Sequence, residues 1–147
     1  MRKSFKLLFT VLIFATLFVA CDKDDELDDD NITIFKAMLK GSSEVPSNAS
    51  TAMGTAILTF NEDTKMFTVV TTYSGLTPAG GHIHMAAADA NGAVVYPFGT
   101  NLASPITFES GVLTVEQVKA LTDEMLYVNL HTTAFPGGEI RGQLMKQ

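Results

Sequence analysis

The chain has 147 residues, which leaves room for one domain of ordinary size besides any targeting segment. Its 16 acidic and 10 basic residues leave a formal net charge of −6. Without a basic patch that could displace counterions from phosphates, nucleic acid is excluded as an expected partner. A single cysteine also excludes a disulfide within the chain.

The first segment, residues 1–20, is typical of a secretory signal peptide. Three basic residues lie within the first six positions and precede an apolar run from Leu7 to Ala20. This run is shorter than the roughly 20 apolar residues that a membrane-spanning helix needs, and acidic residues follow it closely. We therefore predict that residues 1–20 direct export and are then removed.

The stretch LFVAC at the end of this segment resembles the lipobox of bacterial lipoproteins, in which the cysteine is acylated and becomes the new N-terminus. Ala20 fits the small-residue position, whereas Leu17 lies one place further out than the usual large apolar residue. The resemblance implies that Cys21 carries a lipid that anchors the protein to a membrane. The alternative is an ordinary signal peptide followed by a free thiol, which would need a separate explanation in an exported protein.

Residues 21–31 are predicted to form an acidic tether between the lipid and the domain. The stretch DKDDELDDD contains seven acids and one lysine, and such a run repels itself and stays solvated. Its start, CDKDDE, resembles the signal that directs lipoproteins of some Gram-negative bacteria to the outer face of the outer membrane. This implies a lipid-anchored protein of the cell envelope, at the outer membrane and exposed at the surface, although spacer chemistry alone would also explain the acids.

Residues 32–147 predict an all-β domain, an antiparallel Greek-key-like β-sandwich with one short helix. Segments rich in Thr, Val, Ile, Phe and Tyr alternate with turn residues, as in antiparallel sandwiches. The predicted strands cover residues 33–40, 54–61, 65–74, 81–86, 93–98, 106–111, 125–132 and 138–145.

The predicted helix covers the stretch TVEQVKALTDE. Thr114 can cap its N-terminus, and Gln117 lies three residues later, where a capping box requires it. Val115, Val118 and Leu121 share one face at helical spacing and are expected to close one end of the sandwich.

Side-chain alternation places three histidines outside the core. In a strand, residues two apart point to the same face, so the inward apolar residues of GHIHM turn His82 and His84 outward. The same argument turns His131 outward, and it does so for Glu139 and Arg141 in the last strand. If these three strands are neighbours, the five side chains converge on one patch.

Two interpretations of this patch remain open. A His-x-His pair with a histidine on another strand can hold copper or zinc, with His82, His84 and His131 as ligands and Glu139 as a further ligand or supporting acceptor. Alternatively, the histidines bond to loop carbonyls and to Glu139, while Arg141 pairs with Glu139 or caps carbonyls. A histidine pH switch near the usual pKa of about 6.5 is a third hypothesis that no feature specifically favours.

Enzymatic activity finds little support in the sequence. There is no G-x-S-x-G motif and no phosphate-binding glycine loop. We therefore predict a protein that is not an enzyme, with metal-dependent redox activity as the remaining alternative. The aromatic residues considered for an exposed binding surface are Tyr73, Tyr96, Phe98, Tyr127 and Phe135.

Two long stretches resemble the CHRD domain, which is named from the developmental regulator chordin and is also found in many bacterial exported proteins. They are GTAILTFNEDTKMFTVVTTYSGLTPAGGHIHMAAADANGAVVYPF and LYVNLHTTAFPGGEIRGQL, and the resemblance covers residues 33–145. It implies a β-sandwich module with a largely undefined role and no established catalytic activity. The residues that it carries onto the family pattern are His82, His84, His131, Glu139, Arg141 and Gly142.

The same features are more distantly similar to copper-zinc superoxide dismutase, which has a His-x-His strand, a later histidine and a late glycine-arginine segment. This chain has no fourth histidine to bridge two metals and no disulfide, so dismutase activity is not expected. Our first hypothesis is a lipid-anchored module that binds a protein or another extracellular ligand. The alternative is a binding or redox protein with a single copper or zinc site.

Overall fold

The computed structural model describes residues 31–147, so the predicted signal peptide, Cys21 and the acidic run lie outside the described residues. The described part contains nine strands, one α-helix and one short 3-10 turn. The strands are β1 Ile32–Lys40, β2 Met53–Asn61, β3 Met66–Ser74, β4 Gly80–Met85, β5 Ala93–Pro97, β6 Ile106–Glu109, β7 Leu126–His131, β8 Ile140–Gln143 and β9 Met145–Lys146; the helix is α1 Val115–Thr122 and the 3-10 turn is Gly41–Ser43.

Eight strands form one antiparallel sheet in the order β5-β4-β7-β8-β1-β2-β3-β6, and β9 pairs with β1. The sheet curls until its two ends face each other. Tyr96 in β5 contacts Phe67 in β3 and Phe108 in β6, with ring centroids 5.1 and 5.9 Å apart. The chain crosses between the two halves after β3, after β5 and after α1. The predicted all-β antiparallel sandwich is therefore confirmed.

The core lies between the two halves, where the strands place every second side chain. In β1, Phe35, Ala37 and Leu39 are buried while the residues between them are exposed. Ile83 in β4 and Leu130 in β7 are fully buried from the other half. Each large apolar side chain buried in this way contributes about 1.5–3 kcal/mol relative to exposure, so the alternation itself drives the curling of the sheet.

The predicted helix cap is confirmed. Thr114 Oγ1 accepts a hydrogen bond from the Gln117 backbone N–H, and Gln117 Oε1 accepts one from the Thr114 N–H at 2.8 Å. The predicted apolar face is wrong at Val115, which is 81% exposed, whereas Leu121 is buried. Leu113, just before the cap, packs into the core together with Val118, and these two positions are those of a hydrophobic staple.

The last predicted strand, residues 138–145, is divided into β8 and β9. Leu144 between them is fully buried, and its N–H bonds to the Leu126 carbonyl. β8 pairs with both β7 and β1, whereas β9 pairs with β1 alone, with Met145 opposite Lys36. The division therefore coincides with the point where pairing with β7 ends.

The outward face of β4, β7 and β8 is covered by two loops, residues 41–52 and 86–92. The loops are also joined to each other, because Asn91 donates to the Val45 carbonyl at 2.7 Å. Sequence analysis considered Tyr127 and Phe98 for an exposed binding surface, and this prediction is wrong: Tyr127 is buried under these loops, and Phe98 is buried in the hydrophobic core. Residues 31–147 contain no helix long and apolar enough to cross a membrane.

Candidate metal centre

Strands β4 and β7 bring the three histidines together. Their antiparallel register places His82 opposite Asn129 and Gly80 opposite His131. His82 and His84 share a face because they are two residues apart. The third imidazole joins that face because directly paired residues point to the same side of a sheet. All three histidines are half-buried.

The ring nitrogens lie close enough to share one ion. One nitrogen from each of His82, His84 and His131 falls within 4.8 Å of the other two. The shortest separation, 3.2 Å, joins His82 Nδ1 and His131 Nε2. Tetrahedral zinc, with bonds of 2.0–2.1 Å, holds its ligand nitrogens about 3.4 Å apart. The pair of His82 and His131 matches that spacing, and His84 requires a small side-chain movement.

Two backbone carbonyls set the protonation of two rings. His131 Nδ1 lies 2.9 Å from the Pro136 carbonyl oxygen, and His84 Nδ1 lies 3.0 Å from that of Gly92. A carbonyl only accepts, so each Nδ1 carries the proton and each Nε2 keeps its lone pair. Among the described residues, the buried Nε2 of His84 has no hydrogen-bond partner. This is the arrangement of a histidine ligand whose second nitrogen is held by the protein.

The electrostatics favour the neutral imidazoles of His82 and His84. Burial lowers the pKa of His82, and the neighbouring His131 and His84 lower it further. Burial also lowers the pKa of His84, and this effect is larger than that of the hydrogen bond to the Gly92 carbonyl, which raises the pKa. His131 and Arg141 lower the His84 pKa as well. Neutral rings keep their lone pairs available near pH 7, as metal binding requires.

Behind His84 lies an aromatic and cationic stack. The His84 ring is parallel to that of Tyr127, with centroids 4.9 Å apart. The guanidinium carbon of Arg141 lies 3.4 Å from the Tyr127 centroid. The Tyr127 hydroxyl accepts from the Gly92 N–H at 3.2 Å, so Tyr127 and His84 hold the same loop residue. The orientation of His84 is therefore fixed from two sides.

Arg141 is buried and closes the loop of residues 86–92 over the sheet. Its Nη2 donates to the carbonyls of Ala87 and Ala90, both at 2.9 Å, and its Nη1 donates to the Asn91 side chain at 3.3 Å. It makes no ion pair with Glu139 among the residues that the structure describes. Arg141 thus caps carbonyls, which was one of the two roles considered for it.

Glu139 does not join the histidines. Its carboxylate accepts from Ser50 Oγ at 2.7 Å and from Thr132 Oγ1, and neither its side chain nor its backbone bonds a histidine. The expected convergence of five side chains is therefore wrong for Glu139. The residue precedes the first position of β8, and the loop of residues 41–52 covers it, with Asn48 bonding its carbonyl at 3.1 Å.

Sequence analysis missed a second polar pair beside the site. Asn129 Nδ2 donates to Glu44 Oε1 at 2.7 Å, and both side chains are buried. A β-carbon at Gly138, where φ is +133°, would lie 2.7 Å from both Glu44 oxygens, so only glycine fits there. Burial raises the pKa of Glu44 from 4.5 to about 7, and Arg141 opposes this rise. Side-chain alternation in β7 turns Asn129 outward together with His131, but Glu44 lies in a loop that has no such repeating pattern.

Comparison with known proteins gives one match. A family model described as the CHRD domain matches residues 35–144, which include all three histidines, Glu139 and Arg141. No curated protein and no solved structure matches the chain. The distant similarity to superoxide dismutase therefore stays a prediction.

Proposed function

Because the chain belongs to the CHRD domain family, we propose that it is an exported, lipid-anchored CHRD module of the cell envelope that binds one copper or zinc ion through His82, His84 and His131. The family is not an enzyme family, which supports a binding role rather than turnover. The proposal joins the lipid-anchored module of our first hypothesis to the metal site that was its alternative.

The observation that carries this proposal is the unpartnered Nε2 of His84. Leaving a buried nitrogen without a hydrogen bond costs about 1–3 kcal/mol, and a bound metal ion would offset this cost. Here the Gly92 carbonyl keeps the proton of His84 on Nδ1 and leaves the Nε2 lone pair free, and one ring nitrogen of His84 lies within 4.8 Å of one of His131. A borderline metal ion, for which imidazole is a suitable donor, would satisfy both lone pairs at once.

Among the three histidines, only His82 must change its tautomer to complete the ligand set. In the metal-free site its Nδ1–H donates to His131 Nε2, since that nitrogen is the acceptor. For His82 to bind through Nδ1, its proton moves to Nε2, which is a change of tautomer without change of charge. Three nitrogen ligands leave a fourth position for water or another ligand.

The metal proposal is tested on full-length protein purified in detergent and stripped with a chelator. After equilibration with micromolar copper or zinc, elemental analysis should find about one ion per chain. His84→Gln and His131→Gln should each abolish this uptake. As a control, replacing the acids of residues 22–30 by amides should leave it unchanged. Unchanged uptake in the histidine variants, or none in the parent protein, would favour the structural network.

The membrane anchor is supported by the lipobox-like stretch and the acidic run after it. Palmitate fed to expressing cells should label the protein, and Cys21→Ser should abolish both the label and sedimentation with membranes. His131→Gln should keep the label. Antibody should reach the domain on intact cells if the anchor lies in the outer leaflet. Labelling that survives in Cys21→Ser would contradict the anchor.

A further inference from the structure

The three-histidine site offers no negative charge of its own. The cluster consists of imidazoles alone, so a divalent ion would add two positive charges to a half-buried site. Arg141, 1% exposed, already places a positive charge behind it, across the ring of Tyr127. Charges withdrawn from water are costly unless an opposite charge lies nearby. A carboxylate nearby would therefore stabilise the loaded site.

The described residues contain two buried carboxyl groups, Glu44 and Glu139. Glu139 is occupied by the hydroxyl groups of Ser50 and Thr132. Glu44 has a single side-chain partner, Asn129, which lies directly opposite His82 across β4 and β7. One strand spacing and one hydrogen bond thus separate Glu44 from the site, a distance on the order of 10 Å.

The surroundings of Glu44 allow it to gain or lose a proton. Burial raises its pKa to about 7, and the charge of Arg141 on β8 opposes the rise. The Arg141 guanidinium nevertheless donates its hydrogen bonds to the loop of residues 86–92 and not to Glu44. The other ionisable groups around it are Asp89, which lines the same cavity, and Glu139 next to Gly138. A new positive charge nearby would therefore shift Glu44 toward its anion.

We propose that Glu44 is the counter-charge of the three-histidine site and releases its proton to solvent when a divalent ion binds. The inference rests on the proposed metal function. The O–H bond of the carboxyl group breaks, and Asn129 Nδ2–H holds the resulting anion. His82 changes tautomer and contributes no net proton. The histidines and any zinc-bound water are present in both the wild-type protein and Glu44→Gln, so the proton release that the variant loses is assigned to Glu44.

The test is calorimetric titration of the full-length, detergent-purified protein with zinc at pH 6.5 and pH 8. Each titration is repeated in two buffers of different ionisation enthalpy, which counts the protons released. The His131→Gln variant lacks the three-histidine site, so the zinc that it still binds is held by the acidic run. This remaining uptake is the baseline. The wild-type protein should release more protons at pH 6.5 than at pH 8, and Glu44→Gln should lose most of this difference.

Affinity gives the second measurement. At pH 8, where Glu44 is ionised before zinc arrives, Glu44→Gln should bind zinc roughly tenfold more weakly, as expected for charges about 10 Å apart in a partly buried site. Glu44→Asp should restore pH-linked proton release. Asp89 is an exposed neighbour of Glu44, and Asp89→Asn should show the zinc affinity and the proton release of the wild-type protein.

Equal proton counts and equal affinities in wild-type protein and Glu44→Gln, with zinc still bound by both, would overturn the role of Glu44 and leave metal binding intact. A wild-type protein that binds no zinc above the His131→Gln baseline would overturn the metal function and this inference with it.

Discussion

Arg141 shows how one side chain connects the site to the fold. Its guanidinium bonds two carbonyls of the loop of residues 86–92 and stacks on Tyr127, which in turn stacks on His84. An arginine can do this because its planar fork donates to several acceptors at once while its face contacts an aromatic ring. Lysine, a point charge, cannot replace it.

At this scale we predict that Arg141→Met lowers the free energy of unfolding by about 3 kcal/mol. Methionine fills similar space, but it loses the three hydrogen bonds that the buried guanidinium donates to the Ala87 and Ala90 carbonyls and to the Asn91 side chain. Urea denaturation of metal-free protein measures the change. Lys119→Met is the control, because its exposed pair with Asp123 is worth less than about 1 kcal/mol. Equal losses in the two variants would contradict the role assigned to Arg141.

At the scale of elements, α1 and β7 differ in how their positions are determined. The start of α1 is set by its own residues, since both partners of the capping box lie within four positions. β7 is buried on both faces, one by the core and the other by the loops, although its polar residues alternate as in a half-exposed strand. Alternation therefore identified the face of Asn129 and His131 but not what covers it.

For α1, we expect Thr114→Ala to destabilise the domain by about 1 kcal/mol, because the Gln117 N–H loses its side-chain acceptor. Val115→Ala should change stability little, since Val115 faces solvent. Thermal unfolding followed by circular dichroism compares the two variants. A larger loss for Val115→Ala would show that the first turn packs differently.

At the scale of the whole molecule, buried ionisable groups link stability to pH in opposite directions. The lowered pKa of His84 gives stability that is present above the unfolded value of 6.5 and is lost as the pH falls. The raised pKa of Glu44 gives stability that is complete below 4.5 and is lost as the pH rises through about 7. The two contributions partly cancel between these limits.

Glu44→Gln should therefore become more stable relative to the wild-type protein as the pH rises from 5 to 8, because the opposing contribution of Glu44 is removed. The measurement is the free energy of unfolding in urea at pH 5, 6, 7 and 8, without metal. Curves that stay parallel over this range would show that burial does not perturb Glu44.

Local patterns in the sequence were sufficient for the eight strand regions, the capped helix and the common face of His82, His84 and His131. Alternation with a period of two and capping at a spacing of three are properties of neighbouring residues, so no distant contact is needed to predict them. The alternation also shows where the core begins, since apolar side chains must leave water.

The tertiary structure alone decided which polar side chains meet. The burial of Arg141, the pairing of Glu44 with Asn129 and the separation of Glu139 from the histidines all depend on the loops of residues 41–52 and 86–92. These loops have no repeating pattern, and their bonds include Asn91 to Val45 and Asn48 to Glu139, which join residues 46 and 91 positions apart in the chain. Contacts over such distances arise only when the whole sheet has curled, because the fold first brings the loops to the same face.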